Sequence, residues 1–154
     1  MPEVLFHTGV VDPTGYTCRL LRKAWRQGRQ VVVIGESGRL QRLDALLWSF
    51  EQEAFVPHLR LKRGQSAAAA LQRTPIWLAD APLDAPSRDV LVNLGPEPTD
   101  AAQAFGRVIE LVGESPDDVV SGRARWRQHK AAGLTPELAA LVGADLAAAP
   151  TAAG

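Results

Sequence analysis

The chain has 154 residues, enough for one domain that needs no disulfide or metal to hold it, and its 46% hydrophobic and 22% charged content argue for a packed core and against wholesale disorder. Seventeen basic residues balance seventeen acidic ones, which excludes a global field that would draw the protein onto nucleic acid or an anionic membrane. The lone Cys18 excludes an internal disulfide, and no run approaches the roughly 18 apolar residues of a membrane helix or reads as a secretory signal, so a cytoplasmic protein is expected.

Val4-Leu5-Phe6-His7 reads as a short strand, and Asp12-Pro13-Thr14-Gly15 as a turn into an amphipathic helix that ends near Gln27-Gly28. Val31-Val32-Val33-Ile34 is β-branched throughout, as in a parallel strand buried on both faces. After Gly35-Glu36-Ser37-Gly38, the spacing of Leu40, Leu43, Leu47 and Phe50 predicts a second helix. Leu59 to Arg73 shows no clear period and is expected to hold a loop. Pro75 to Leu78 and Val90 to Leu94 read as strands separated by a proline-containing loop, and Thr99-Asp100 as the cap of a short helix reaching Phe105.

Val108-Ile109-Glu110-Leu111-Val112 reads as a further strand, and Ser115-Pro116-Asp117-Asp118 opens a helix whose acids lie first and whose bases follow. Gly133 ends it, Thr135-Pro136-Glu137 would start a last helix, and the alanine-rich end from Ala147 is expected to fray. Strands alternating with helices imply a three-layer α/β domain over 1–134, Rossmann-like, with a mostly parallel sheet, followed over 135–154 by a helix and tail.

Chemistry must come from sites rather than from the architecture. Gly35-Glu36-Ser37-Gly38 lies where a phosphate loop would, but it lacks both the dinucleotide fingerprint and a P-loop ending and reads as a plain turn. Cys18 carries no nucleophile signature and reads as a half-buried structural thiol; His7, His58 and His129 lack metal-ligand spacing, and Asp12, Asp80 and Asp89 read as turn formers. No catalytic residue, metal or cofactor is expected.

Two surfaces stand out instead. In Arg123-Ala124-Arg125-Trp126-Arg127-Gln128-His129-Lys130, helical geometry puts Val119, Arg123, Trp126 and Lys130 on one stripe. Such a stripe could receive an acidic peptide with an apolar end, or could be a solvated face with Trp126 turned inward. Trp48 lies one residue off the second helix's apolar stripe, with Phe50 and Phe55 close by; this crowding fits either an exposed patch for a protein partner or a cluster covered by the next strand.

The segments Trp25-Arg26-Gln27-Gly28-Arg29-Gln30-Val31, Leu43-Asp44-Ala45-Leu46-Leu47-Trp48, Phe55-Val56-Pro57-His58, Arg88-Asp89-Val90-Leu91-Val92-Asn93-Leu94 and Arg123-Ala124-Arg125-Trp126-Arg127, in that order and spacing, resemble the chi subunit of bacterial DNA polymerase III. The resemblance runs from about residue 4 to Gly133. It implies a non-catalytic clamp-loader subunit that pairs with the psi subunit and holds the acidic C-terminal tail of single-stranded DNA-binding protein, meeting DNA mainly indirectly. It further implies a tail site at Arg123 and Trp126 with Val112 as an apolar wall, and a psi contact at Trp48 and Phe55, with Val56 and Pro57 beside them. Some family members carry a base where this chain has Val119 and tyrosine where it has Trp126, which leaves Arg127 or Lys130 to make up the charge. A direct nucleic-acid-binding module, using the late helix together with Arg60, Lys62 and Arg63, is the competing expectation.

Overall fold

The computed structural model describes residues 1–49 and 55–141. Seven strands form one sheet: β1 (Glu3–Val10), β2 (Val31–Ile34), β3 (His58–Leu61), β4 (Ile76–Ala79), β5 (Val90–Asn93), β6 (Arg107–Gly113) and β7 (Pro136–Leu138). They lie in the order β3-β4-β2-β5-β6-β1-β7, and every pairing is parallel. Helices α1 (Pro13–Arg26) and α2 (Ser37–Ser49) join β1 to β2 and β2 to β3, and α3 (Pro116–Ala131) follows β6. This is the expected three-layer α/β architecture.

The period of two along each strand divides the core. Val31 and Val33 of β2, with Ile109 and Leu111 of β6, pack under α1 and α2 beside Tyr16, Leu21, Leu40, Leu43 and Leu47. Val32, Ile34, Val108 and Val112 face the other way, where Phe6, Trp77, Phe105 and Leu134 join them and Trp126 of α3 leans on the cluster. Helix ends follow their sequence signals. The Asp12 carboxylate accepts from Gly15 N, and Ser115 Oγ accepts from Asp118 N.

Leu59 to Arg73 does hold a loop, from Lys62 onward, but the sequence did not reveal β3 over His58–Leu61, whose two middle residues are only half buried at the sheet edge, which erased the apolar signature. Two expectations are corrected. The segment around Thr135-Pro136-Glu137 starts no helix. It becomes the edge strand β7, where the missing N–H of Pro136 is tolerated and the free edge of β1 supplies the partner. The element expected from Thr99 to Phe105 is a single 3₁₀ turn at Ala102–Ala104. The sheet thus continues past Leu134, whereas Phe50 and the stretch from Ala147 lie outside the described residues.

A β-bulge interrupts β1 between His7 and Val10, with Gly9 at φ +66° in the left-handed region that glycine favours. The extra residue puts Val10 on the α1/α2 side of the core, while Phe6, before the bulge, faces the α3 side. Cys18 is fully buried rather than half buried, and burial pushes its thiol up to about 12, so it is inert at neutral pH.

His7 lies under α1 with Nδ1 against the Tyr16 hydroxyl. Burial first, and then Lys23, lower its pKa to about 4, so the native ring stays neutral while the unfolded ring titrates near its ordinary value of 6.5. Below that value the unfolded state takes up a proton that the native state refuses, so stability is lost as pH falls from 6.5 toward 4. Urea unfolding at pH 7 and pH 4.5 checks this: His7→Gln is expected to lose less stability across the interval than the parent, by about 2 kcal/mol.

Candidate peptide-binding groove and aromatic patch

Helix α3 crosses one face of the sheet with an unusual buried stripe: Gly122, Arg125 and His129. Gly122 lets the helix approach closely, since a Cβ there would lie 2.9 Å from both Val112 methyl carbons. Arg125 and His129 straddle Glu110, which faces α3 from the middle of β6. Arg125 Nη1 donates to Glu110 Oε1 at 2.7 Å, His129 Nε2 lies 2.7 Å from Glu110 Oε2, and Arg125 Nη2 donates to the Leu111 carbonyl at 3.0 Å. Arg125 Nε donates to Ser121 Oγ, which in turn donates to the Pro96 carbonyl. Gly95, at φ +75°, leaves the room this needs, because a Cβ on it would come within 3.0 Å of the guanidinium. All three charged or polar groups of the triad are sealed from solvent.

That anchorage turns the next face of α3 toward a cavity of about 680 Å³. Phe6 and Val112 are its buried apolar lining, and Val119, Arg123, Trp126 and Arg127 line it from the helix. Trp126, half buried, makes a T-shaped contact with Phe6 at a ring-centroid distance of 5.0 Å and also lines the cavity. Leu138 closes the β7 side, while Thr8 and Gly9 of β1, Gly113 at the end of β6 and Glu114 just past it complete the lining. Of the residues expected on this surface, Val112, Val119, Arg123, Trp126 and Arg127 meet here. Lys130 does not; it is exposed on α3 beyond Trp126 and is absent from the lining. Among the described residues neither Arg123 nor Arg127 has an acidic partner, so the two stand free at the rim one helical turn apart.

At the other edge of the sheet, Trp48 is 64% exposed and Phe55 43% exposed, with ring centroids 5.1 Å apart. His58 of β3 packs against both. Its Nδ1 lies 2.8 Å from the Val56 carbonyl and its Nε2 2.9 Å from Asp44 Oδ1, which fixes the ring under the aromatics. Val56 is a correction: it is buried in the core and holds the strand from beneath, while Pro57 is half exposed.

Other candidates find structural roles. Asp89 takes two bonds from Arg29, at 2.8 and 2.7 Å, and one from Gln30 N, and these contacts hold its carboxyl below the usual range. Asp80 pairs with Arg60 and accepts from Arg63 N, which neutralises part of that basic cluster. Gly35 packs on Leu94, so close that a Cβ would lie 2.8 Å from the leucine's own. No group of three or more metal-ligating side chains converges among the described residues, and no helix there is long and apolar enough to cross a membrane.

A model of the family described as DNA polymerase III chi subunit, HolC, matches residues 1–137. The chain belongs to that family. It is 38% identical over 117 residues to the DNA polymerase III subunit chi of Pseudomonas aeruginosa, covering 75% of this chain and 78% of the relative. With the subunit of the same name from Escherichia coli K12 it shares 30% over 119 residues, covering 76% and 78%. It is thus a subunit of a replicative polymerase. Among solved structures it is similar to the C-terminal domain of the DEAD-box protein Dbp5, with a TM-score of 0.56, 14% identity and coverage of 89% of this chain and 90% of that one. A Saccharomyces cerevisiae Dbp5 C-terminal domain bound to Gle1 and IP6 gives 0.57 at 11% identity, with 90% of each chain covered. At such identities the likeness is one of fold.

The sequence reading missed Glu110, Arg125 and His129. The available signal was Glu110 itself, a carboxylate flanked on both sides by apolar pairs, Val108-Ile109 and Leu111-Val112, which must find a cation on whatever element covers it. Removing that cation leaves the carboxylate with His129 alone. Arg125→Met is therefore expected to lower the free energy of unfolding by about 3–5 kcal/mol, and Glu110→Gln with Arg125→Met to recover part of the loss. Denaturant titration of the single and double variants measures both.

Proposed function

We propose that this chi-family subunit is a non-catalytic bridge: its groove holds the acidic C-terminal tail of single-stranded DNA-binding protein, and its aromatic patch pairs with the psi subunit. The observation that carries this is the pairing, in one cavity, of two guanidinium groups without an acidic partner among the described residues with a half-open indole over a phenylalanine and a valine. An apolar cleft with cations only at its rim suits a ligand that carries carboxylates and ends in an aromatic ring. A nucleic-acid strand would instead call for a charged track with several stacking platforms. Arg123 and Arg127 grip carboxylates through their planar forks, and the terminal ring displaces water from Phe6, Val112 and Trp126.

Bridging needs both sites occupied together. The groove lies by β1 and β7 and the patch by β3, at opposite edges of a seven-stranded sheet. At roughly 4.8 Å per strand they stand on the order of 25 Å apart, so neither partner blocks the other. A replication subunit of this kind works in the cytoplasm.

Calorimetric titration of an acidic peptide ending in phenylalanine tests the groove. Arg123→Glu is expected to weaken binding about 10- to 100-fold with an unchanged circular dichroism spectrum, and rising salt should weaken the parent's binding. Unaltered affinity in Arg123→Glu would refute the site. Trp48→Ala and Phe55→Ala, both at exposed positions, should each weaken the psi complex, together by about 30-fold, while leaving the peptide's affinity alone; a pull-down with both ligands checks the separation.

A further inference from the structure

The groove has one wall that the family match does not reach. The family model ends at residue 137, and the next residue, Leu138, lines the cavity from β7. Leu138 pairs in register with Phe6 across the parallel β1–β7 ladder, so the two side chains project from the same face of the sheet, the one toward α3. Phe6 is covered by Trp126 and is 1% exposed, whereas Leu138 is 48% exposed although it sits beside the same apolar lining. Its own strand is short: three residues, paired on one side only, with Ala139 N donating to the Phe6 carbonyl just beyond it. A leucine held half bare by a fixed backbone, across a cleft from an indole, is an apolar wall that lacks its filling.

We infer that Leu138 is the specificity-determining wall for the ligand's last side chain, which it clamps against Trp126. The inference rests on the groove being the peptide site. The remaining surroundings give the ligand its direction. Arg123 and Arg127 line the groove from the helix, whereas Glu114 lines it just past the end of β6, with Thr8 and Gly9 of β1. Acidic side chains are drawn to the two guanidinium groups and repelled from Glu114, and the ring is left to the apolar section between Phe6, Trp126 and Leu138. A flat aromatic side chain fills the gap between an indole and a leucine, and a small one leaves it open to water.

The test uses the full chain and an acidic peptide ending in 4-fluorophenylalanine, followed by calorimetry and by the ¹⁹F resonance of the bound ring. Leu138→Ala is expected to keep the parent's melting temperature, since the side chain is half exposed, to weaken binding about tenfold, and to move the bound ¹⁹F resonance. Parent-like affinity and an unmoved resonance in Leu138→Ala, while Arg123→Glu weakens binding as expected, would overturn the role of Leu138 and leave the groove standing. Weaker binding with an unmoved resonance would equally overturn it, because the ring would not be touching that wall. A parent protein that does not bind the peptide at all would remove the groove reading and this inference together.

Discussion

Glu110 sits in the centre of β6 between apolar pairs, Val108-Ile109 and Leu111-Val112, and its carboxylate is sealed from water between Arg125 and His129. Taking a carboxylate and a guanidinium out of water costs several kcal/mol each, and the geometry here returns that cost only because the surrounding hydrogen bonds are met at once, from Leu111, Ser121 and Pro96. Such a contact is demanding in angle and distance, unlike a hydrophobic one. It sets the rotation of α3 about its own axis as well as its height above the sheet. Gly122 adds the second constraint, a close approach to Val112 that no larger residue could match without displacement.

That rotation decides what faces the cavity. With Arg125 and His129 pointing down, Arg123, Trp126 and Arg127 are carried to the side where β1 and β7 leave the sheet's surface open. The bulge at the end of β1 has a complementary effect. It lets the strand run on while Thr8 and Gly9 line the groove and Val10 returns to the opposite core. Polar specificity beneath the helix and apolar surface beside it are thus two consequences of one docking geometry.

The motifs that resemble the family prove to be pairs of tertiary partners. Arg29 and Asp89 come from two of the segments and meet through two hydrogen bonds across β2 and β5. Asp44 and His58 come from two others and lock the middle of α2 to the start of β3. Separated in the sequence by 60 and 14 positions, these residues look like isolated turn formers or spare histidines. Their spacing carried the family's identity without revealing its cause.

The order of strands and helices was legible wherever burial was strong on both faces or on one helical stripe. Val31 to Ile34, the leucines of α2 and the capped start of α3 behave as local chemistry requires, because period and capping act over a few residues. β3 and β7 were not legible: each is an edge strand of three or four residues whose signal is half exposure, and each exists because a neighbour's free backbone edge is there to pair with. The cationic helix was evident, as were most of its groove residues, since a helical wheel needs only the sequence. Which face turns inward was not. The buried stripe of α3 is made of glycine, arginine and histidine, so hydrophobic periodicity is silent there, and only the position of Glu110 across the sheet decides that Arg125 goes in while Arg123, Arg127 and Lys130 stay out.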